Sequence, residues 1–368
     1  MVEWKKLGEV CEIKTGRGIT QKDCSEDGQY PVISGGQTPM GMYHQYNRES
    51  KTVTISRVGA YAGYVSFINE RFYLNDKCFS IIPFDNSVLN NKYLYSVLKG
   101  QEEIIQKLQS EGGVPTINTK KVGALSIPIP SLSEQQRIVS ILDTFTSSIS
   151  NLKQQIEERR KQYEYERDLL LDLEGKEGVE MKKLGEVGDI CMCKRIMKDQ
   201  TSEKGDIPFF KIGTFGGKAD AYISRELFED YKEKYSYPKK GEILISAAGT
   251  IGRTVVFNGE DAYFQDSNIV WISNNEQLVL NTFLRYLYGV IDWKIDGGTI
   301  KRLYNYNLKN ATIYVPTLQA QSRIVSILDT FEQSIANLEE QLAMREKQYE
   351  YYRNQLLTFE GEEERGKT

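Results

Sequence analysis

Apolar residues recur at alternating steps of four and three along two segments of the chain, which is the pattern of a coiled-coil seam. The predicted seam positions are Ile138, Leu142, Phe145, Ile149, Leu152 and Ile156 in the first segment, and Ile324, Leu328, Phe331, Ile335, Leu338 and Leu342 in the second. The same steps continue to Leu173 and Phe359, so each seam lasts about five heptads and specifies a left-handed coiled coil. About 38 helical residues give a rod of roughly 55–60 Å.

The two segments are copies of one another. Gln135–Gly175 and Gln321–Gly361 are identical at most positions without a gap, and the run RIVSILDTF is unchanged in both. Shorter matched openings begin at Val2 and Val179. Two copies are too few for a solenoid, which needs at least three repeats. The pattern indicates a tandem duplication of one module with a matched opening, a divergent middle and a matched end.

A coiled-coil seam must pack against another seam, and two pairings are open. Each helix can dimerise with a second chain, or the two helices of one chain can pair in antiparallel fashion about a pseudo-twofold axis. Arg159 and Arg345 fall on the seam in both copies. A polar group there fixes the register at some cost in stability, or the long side chain reaches out to solvent. Ser133 with Gln136 predicts a capping box at the start of the first helix.

The divergent middles are β-rich. Residues 51–68 and 241–258 each contain two strand patterns broken by a glycine turn,. A further strand, a helix and a Gly-Gly loop carrying Lys or Arg follow in both. We therefore predict an α+β fold in which two β-rich domains of one fold but different surfaces are joined by a long antiparallel two-helix coiled coil, as a pseudo-twofold internal repeat. The predicted segments are domain 1 at 1–132, helix 1 at 133–174, domain 2 at 175–318, helix 2 at 319–360 and an acidic tail at 361–368.

Composition limits the setting. The chain has 368 residues, enough for two or three domains. It has no apolar run near the ~20 residues of a membrane span, and its start does not have the pattern of a signal peptide. Five cysteines, an odd number, favour reduced thiols and a cytoplasmic location,. The net charge is −4, and the acidic excess lies in the two repeated segments and the tail, while the divergent middles are balanced.

The residues predict no catalytic or metal site. His44 is the single histidine, so a cage of several histidines is impossible within one chain. Cys191 and Cys193 have the wrong spacing for a zinc knuckle or a redox pair. Gly213–Asp220 superficially matches a phosphate loop but lacks the required gap and the magnesium-binding hydroxyl. No Asn/Asp-Pro-Pro-Tyr/Phe motif of an adenine methyltransferase is present.

Several stretches of the chain resemble the specificity subunit of type I restriction–modification systems. Two of them are the entries into the long helices, IPIPSLSEQQRIVSILD and VPTLQAQSRIVSILD. The others lie in the divergent middles and are TISRVGAYAGYVSF, YLNDKCFSI, ILISAAGTIG and QDSNIVWI. The resemblance covers nearly the whole chain. It implies two target-recognition domains that each read one half of a split double-stranded DNA target, with the coil setting the gap. It also implies two methyltransferase subunits, which bind S-adenosylmethionine and methylate one adenine in each half-site, and two restriction subunits. The specificity subunit itself is expected to be non-catalytic and to hold no cofactor or metal.

We expect base reading from polar residues in the glycine-rich loops, since Arg and Lys pair with guanine edges and Gln with adenine. The candidates are Lys14, Arg17, Gln37, Arg57, Tyr61, Tyr64 and Lys77 in domain 1, and Lys194, Arg195, Lys211, Lys218, Arg253, Lys301 and Arg302 in domain 2. Each can instead be a solvated charge or a phosphate contact, and Tyr61 and Tyr64 can belong to sheet faces.

Two other functions compete with DNA reading. The chain can be a coiled-coil scaffold whose two heads bind proteins, or an enzyme that needs no partner. A DNA-reading subunit should bind DNA with a preference for one sequence, and its binding should weaken steeply as salt rises, whereas a protein-binding scaffold should show neither property.

Overall fold

Residue contacts divide the chain into two compact units. The computed structural model describes residues 2–110, 113–295 and 301–359. The first unit comprises residues 1–154 together with 339–368, and the second comprises residues 155–338. Each unit therefore contains one β-rich head and part of both long helices. The division into five segments along the chain stays a prediction, because the boundaries between the two compact units fall inside the two long helices.

In the first head, short strands alternate with short helices. The strands are Glu3–Lys6 (β1), Cys11–Thr15 (β2), Tyr30–Ile33 (β3), Met42–Tyr43 (β4), Thr52–Ser56 (β5), Val65–Ile68 (β6), Tyr73–Leu74 (β7), Cys78–Pro83 (β8) and Ser126–Ile129 (β9). The helices are Leu7–Val10 (α1), Asn91–Gly100 (α2), Glu102–Gln106 (α3) and Thr119–Gly123 (α4), followed by the long helix Leu132–Leu171 (α5), and a 3-10 turn covers Gln21–Asp23.

These strands form three sheets. An antiparallel sheet has the order β2-β8-β5-β6, and a smaller sheet has the order β4-β3-β7, with β3 and β7 parallel. β1 pairs with β9. The main core lies between the larger sheet and α2, and Ile138 and Leu142 of α5 are buried in it.

The second head repeats this order of elements. Its strands are Glu180–Lys183 (β10), Gly188–Cys191 (β11), Ile207–Phe210 (β12), Ala221–Ile223 (β13), Ile243–Ser246 (β14), Thr254–Val256 (β15), Tyr263–Phe264 (β16), Ile269–Asn274 (β17) and Thr312–Val315 (β18). Its helices are Leu184–Val187 (α6), Arg225–Lys234 (α7), Asn281–Val290 (α8) and Asn305–Asn310 (α9), followed by the long helix Leu318–Leu357 (α10), and a 3-10 turn covers Lys198–Gln200.

The sheets of the two heads correspond strand for strand. β11-β17-β14-β15 matches β2-β8-β5-β6, β13-β12-β16 matches β4-β3-β7 with the same parallel pair, and β10–β18 matches β1–β9. The second head adds α7 after β13, and a separate core beneath it contains Phe228, Tyr263 and Trp271. The prediction that two dissimilar sequences share one fold is confirmed.

The long helices pair within the chain. In the first unit, the rings of Phe145 and Tyr352 stack at 5.3 Å, and Lys153 Nζ lies 2.9 Å from Glu346 Oε1. Residue numbers therefore rise along α5 as they fall along α10, so the helices are antiparallel. In the second unit Tyr163 lies against Phe331, with ring centroids 6.5 Å apart. Leu171 shares a buried core with Ile324 and Leu328 there, which is the same antiparallel order.

The predicted seam residues face away from solvent. None of the twelve is exposed, and Ile138, Leu142, Ile156, Ile324 and Leu328 are buried. Each seam arginine lies over a phenylalanine of the facing helix: Arg159 Cζ is 5.8 Å from the Phe331 centroid, and Arg345 Cζ is 5.7 Å from the Phe145 centroid. Both arginines therefore pack across the seam, in matched pairs.

Both ends of the long helices differ from the prediction. α5 begins at Leu132, and its cap is Ser131, whose Oγ accepts from Glu134 N at 3.4 Å, so the predicted box on Ser133 and Gln136 is wrong. α5 ends at Leu171 rather than near Gly175, because Leu171 and Leu173 are both buried in the second head's core. Residues two apart cannot face the same way on a helix. α10 spans Leu318–Leu357, so it begins one residue before the predicted 319 and ends three residues before the predicted 360. Gly361 lies outside the described residues. No described helix is long and apolar enough to cross a membrane.

Candidate nucleic-acid interface

The loops that follow β2, β3, β5 and β7 converge at one edge of the first head. Arg57 N donates to Lys77 O at 2.9 Å between the last two, and the fully buried Asn75 joins the loop after β7 to the loop after β2 and to the end of β3. Asn75 Nδ2 donates to Ile19 O at 2.8 Å, its backbone N–H donates to Ile33 O at 2.9 Å, and its Oδ1 accepts from Lys77 N at 3.2 Å. Below them, burial raises the pKa of the Cys78 thiol to about 12. The thiol therefore stays protonated and lies within hydrogen-bonding distance, 2.9 Å, of the backbone oxygen of the residue after β3.

The second head builds the same edge with different side chains. Gln265 takes the place of Asn75. Its side-chain Oε1 accepts from Ile212 N, and its backbone N–H donates to Phe210 O, both at 2.9 Å. Arg302 binds the following loop, with Nη2 2.9 Å from Ser267 O and 3.0 Å from Asn268 Oδ1.

The hairpin turn beside each edge has matched hydrogen bonds. Ser56 exchanges backbone bonds with Tyr64 and Gly63 at 3.0 and 2.7 Å, and Ser246 does so with Arg253 and Gly252, both at 2.9 Å. Both glycines have left-handed φ, at +95° for Gly63 and +84° for Gly252, which other residues rarely adopt. The backbone scaffold of the edge is therefore common to the heads, while the side chains that it presents differ.

The candidates of the first head fall into two groups. Arg17, Gln37, Tyr61 and Lys77 are exposed on the converging loops or the hairpin turn. The others contact their own domain: Arg57 lies over the Phe79 ring at 5.4 Å, Lys99 Nζ covers the Tyr64 ring at 4.3 Å, and Lys14 Nζ lies 3.6 Å from Glu12.

In the second head, Lys218 and Lys301 are exposed, and no described residue pairs with either ammonium group. The remaining candidates contact neighbours. Lys194 lies over the Tyr235 ring, Arg195 Nε donates to Asp266, and Lys211 pairs with Asp220. Arg253 Nη2 donates to Ile212 O, and its Cζ lies 5.5 Å from the centroid of the Phe215 ring. Arg302 holds its loop, as described above. Contact of any of these residues with DNA stays a prediction.

Sequence reasoning missed two further pairs of residues, one that holds the loop edges together and one that joins each head to its long helix. One is Asn75 and Gln265. The other is Gln135 and Gln321, one turn into each long helix, which are fully buried. The repeat contained the signal for the second pair, because a glutamine retained at matched places in two long helices points to a shared contact. Within the described ranges, no three His, Cys, Asp or Glu side chains cluster as a metal site requires.

A family model for the type I restriction modification DNA specificity domain matches residues 1–159 and again residues 176–344. The chain belongs to the family of type I restriction–modification specificity subunits. The two matches fall on the two copies of the repeat, so each unit's head is one specificity domain of the subunit.

Two relatives of this specificity subunit match along nearly their whole length. It is 44% identical to a putative type I restriction enzyme specificity subunit of Haemophilus influenzae, over 97% of this chain and 96% of the relative. It is 28% identical to the EcoR124I/EcoR124II specificity subunit of Escherichia coli, over 97% and 94%. The fold is similar to the S subunit of Mycoplasma genitalium, with a TM-score of 0.66 at 18% identity over 98% and 96% of the two chains.

Proposed function

We propose that each head of this specificity subunit reads one half of a split DNA target, and that the two paired helices set the gap between the halves. The observation that carries the proposal is the matched loop edge: one backbone scaffold presents different side chains in the two heads. Two unlike reading surfaces on one scaffold are what a bipartite, asymmetric target requires. A helix of 40 residues is about 60 Å long,, enough to address half-sites about one helical turn, ~35 Å, apart.

The chain's part in the reaction is recognition and placement. Methyltransferase subunits dock on the helices, hold S-adenosylmethionine and methylate one adenine in each half-site, which they must take out of the base stack to reach. Restriction subunits complete the assembly. This chain supplies no reacting group, and the methyl donor belongs to the partner. The family membership and the high identity to a full-length relative support this division of roles.

The best candidates for DNA contact are exposed side chains on the loop edges whose polar groups have no partner among the described residues. In the first head these are Arg17, Gln37 and Lys77, and in the second head Lys218 and Lys301. Cations already held by a carboxylate or carbonyl lose part of their attraction for phosphate.

The first prediction concerns these cations. When the subunit is expressed with its methyltransferase, mapping of methylated adenines gives a two-part motif. The double substitution Lys218→Ala and Lys301→Ala should weaken binding of that DNA and lower the salt slope by about 1 for each phosphate that the variant no longer binds. Arg17→Ala with Lys77→Ala should do the same through the other half-site, as DNA with one scrambled half will reveal.

The control is Arg225→Ala, because Arg225 is already paired with Asp261 on the second head. It should leave binding and methylation unchanged. A wild-type assembly that retains DNA without any sequence preference would sink the proposal and favour the protein-binding scaffold.

A further inference from the structure

The run Lys-Gln-Tyr-Glu-Tyr occurs in both long helices, at 161–165 and at 347–351. Its middle tyrosine is a seam residue, and the other four positions are exposed in both copies. The last tyrosine is the most notable of them, because Tyr165 is 67% exposed and Tyr351 is 58% exposed. Each presents a large aromatic ring to solvent.

Helix pairing does not account for these two tyrosines. Tyr351 contacts its own helix, since its ring meets Tyr352 edge-on at 5.4 Å and its hydroxyl accepts from Gln355 Nε2 at 2.8 Å. These contacts leave more than half of the residue exposed, and in the described part of the chain neither tyrosine touches the facing helix through the seam. Each lies two residues beyond its seam tyrosine, at a heptad position that faces away from the partner helix. Tyrosine is also a weaker helix former than the Lys, Glu or Gln that usually occupy such a position. A function outside the coil is therefore needed to explain an aromatic residue there.

Duplication alone does not explain the identity either. Exposed positions in the middle of the same helices have changed, although their seams are equally regular. Examples of such changed pairs are Ser150 and Ala336, Glu157 and Ala343, and Glu158 and Met344. The exposed residues of the repeated run have thus stayed the same where neighbouring exposed residues have not.

The placement and charge of the run indicate its occupant. The second unit contains 161–165 and the first unit contains 347–351, so each unit has one copy beside a head of its own. An occupant that uses the same residues in both units must ignore the difference between the heads. Each copy of the run has one lysine and one glutamate and therefore no net charge. Glu164, Lys347 and Glu350 are exposed, and Lys161 is paired with Glu157 at 2.6 Å, so the run does not favour DNA phosphate. A protein used once per unit fits these features.

We propose that Tyr165 and Tyr351 anchor two copies of one methyltransferase subunit, one on each unit. The inference rests on the proposed function and assigns residues to its docking step. Tyrosine is enriched among the few residues that dominate interface energies, because its ring fills an apolar pocket and its hydroxyl forms a hydrogen bond. Glu164 and Glu350 beside it then face basic groups of the partner.

The test measures how many methyltransferase subunits the full-length chain binds, by native mass spectrometry and by titration. The wild type should bind two. Tyr165→Ala and Tyr351→Ala should each weaken one of the two binding steps by at least about thirtyfold, as expected for an interface anchor. The double variant should bind neither subunit at concentrations that saturate the wild type.

Met344→Glu is the matched control. Met344 is 51% exposed on α10, and the other copy has Glu158 at its position, so this change should leave both binding steps intact. Circular dichroism should show the same helix content in every variant. If the double variant still binds two subunits with wild-type affinity, Tyr165 and Tyr351 do not anchor the methyltransferase, and the proposal of DNA reading is unaffected. A wild-type chain that binds no methyltransferase would overturn the proposed function itself, and self-association that disappears only in the double variant would reassign the surface to a second copy.

Discussion

At the residue scale, a buried glutamine joins each head to its long helix through backbone atoms alone. Gln135 Nε2 donates to Val88 O and Pro130 O at 2.8 and 2.9 Å, and its Oε1 accepts from Asn90 N at 2.8 Å. Gln321 makes the equivalent three bonds to Leu278 O, Pro316 O and Leu280 N at 2.8–2.9 Å. Because the partners are backbone groups, the junction is the same although the head sequences differ.

Gln135→Leu tests this junction, since it keeps the volume and removes all three hydrogen bonds. Buried polar groups left without partners cost about 1–3 kcal/mol each, so we expect the first head to lose at least about 2 kcal/mol of stability. Hydrogen exchange of residues 85–95 in the whole chain should speed up accordingly. The exposed neighbour gives the control: Gln136→Leu should leave the exchange rates unchanged, and equal rates in both variants would remove the assigned role.

At the element scale, the parts that could be predicted are those whose signal is local. The seam steps predict α5 and α10, and the alternation around a glycine turn predicts the hairpins β5–β6 and β14–β15. The parallel pairs β3–β7 and β12–β16 join segments far apart in sequence, and no local pattern encodes that pairing. The predicted Gly-Gly loops, residues 110–122 and 295–308, were incomplete predictions, because the short helices α4 and α9 begin inside them. Among the DNA candidates, Arg57 and Arg302 are half-buried through contacts with residues distant in sequence, which no local pattern predicts either.

The matched arginine–phenylalanine pairs should contribute to the pairing of α5 with α10. A cation over an aromatic face contributes about 0.5–1 kcal/mol at partly exposed sites. A double-mutant cycle of Arg345→Gln and Phe145→Leu, measured by urea unfolding, should therefore give a coupling free energy in that range. The same cycle with the exposed Lys347→Gln in place of Arg345→Gln should give none. Zero coupling in the first cycle would mean that the arginine only reaches out to solvent.

At the scale of the whole molecule, the end segments of both long helices pack into the cores of the heads, and only their middle segments pack solely against the other helix. Leu142 and Leu328 are seam residues, but each is also buried in the core of a head. A charge at either position would therefore unfold a head as well as the coil, and could not separate the two roles. Ile149 and Ile335 are matched seam residues that are partly buried and lie outside both head cores.

Ile149→Lys with Ile335→Lys should consequently damage the spacing function and spare the heads. Each change places a charge in an apolar seam and is expected to cost about 1–3 kcal/mol. If the paired helices set the gap, methylation of the two-part target by the assembly should fall at least tenfold, while hydrogen exchange within the sheets of each head stays as in the wild type. Asn151→Lys with Asn337→Lys adds the same charges at exposed positions of the same helices and should leave methylation intact. Full methylation in the seam variant would mean that the gap between half-sites is set by something other than the pairing of α5 with α10.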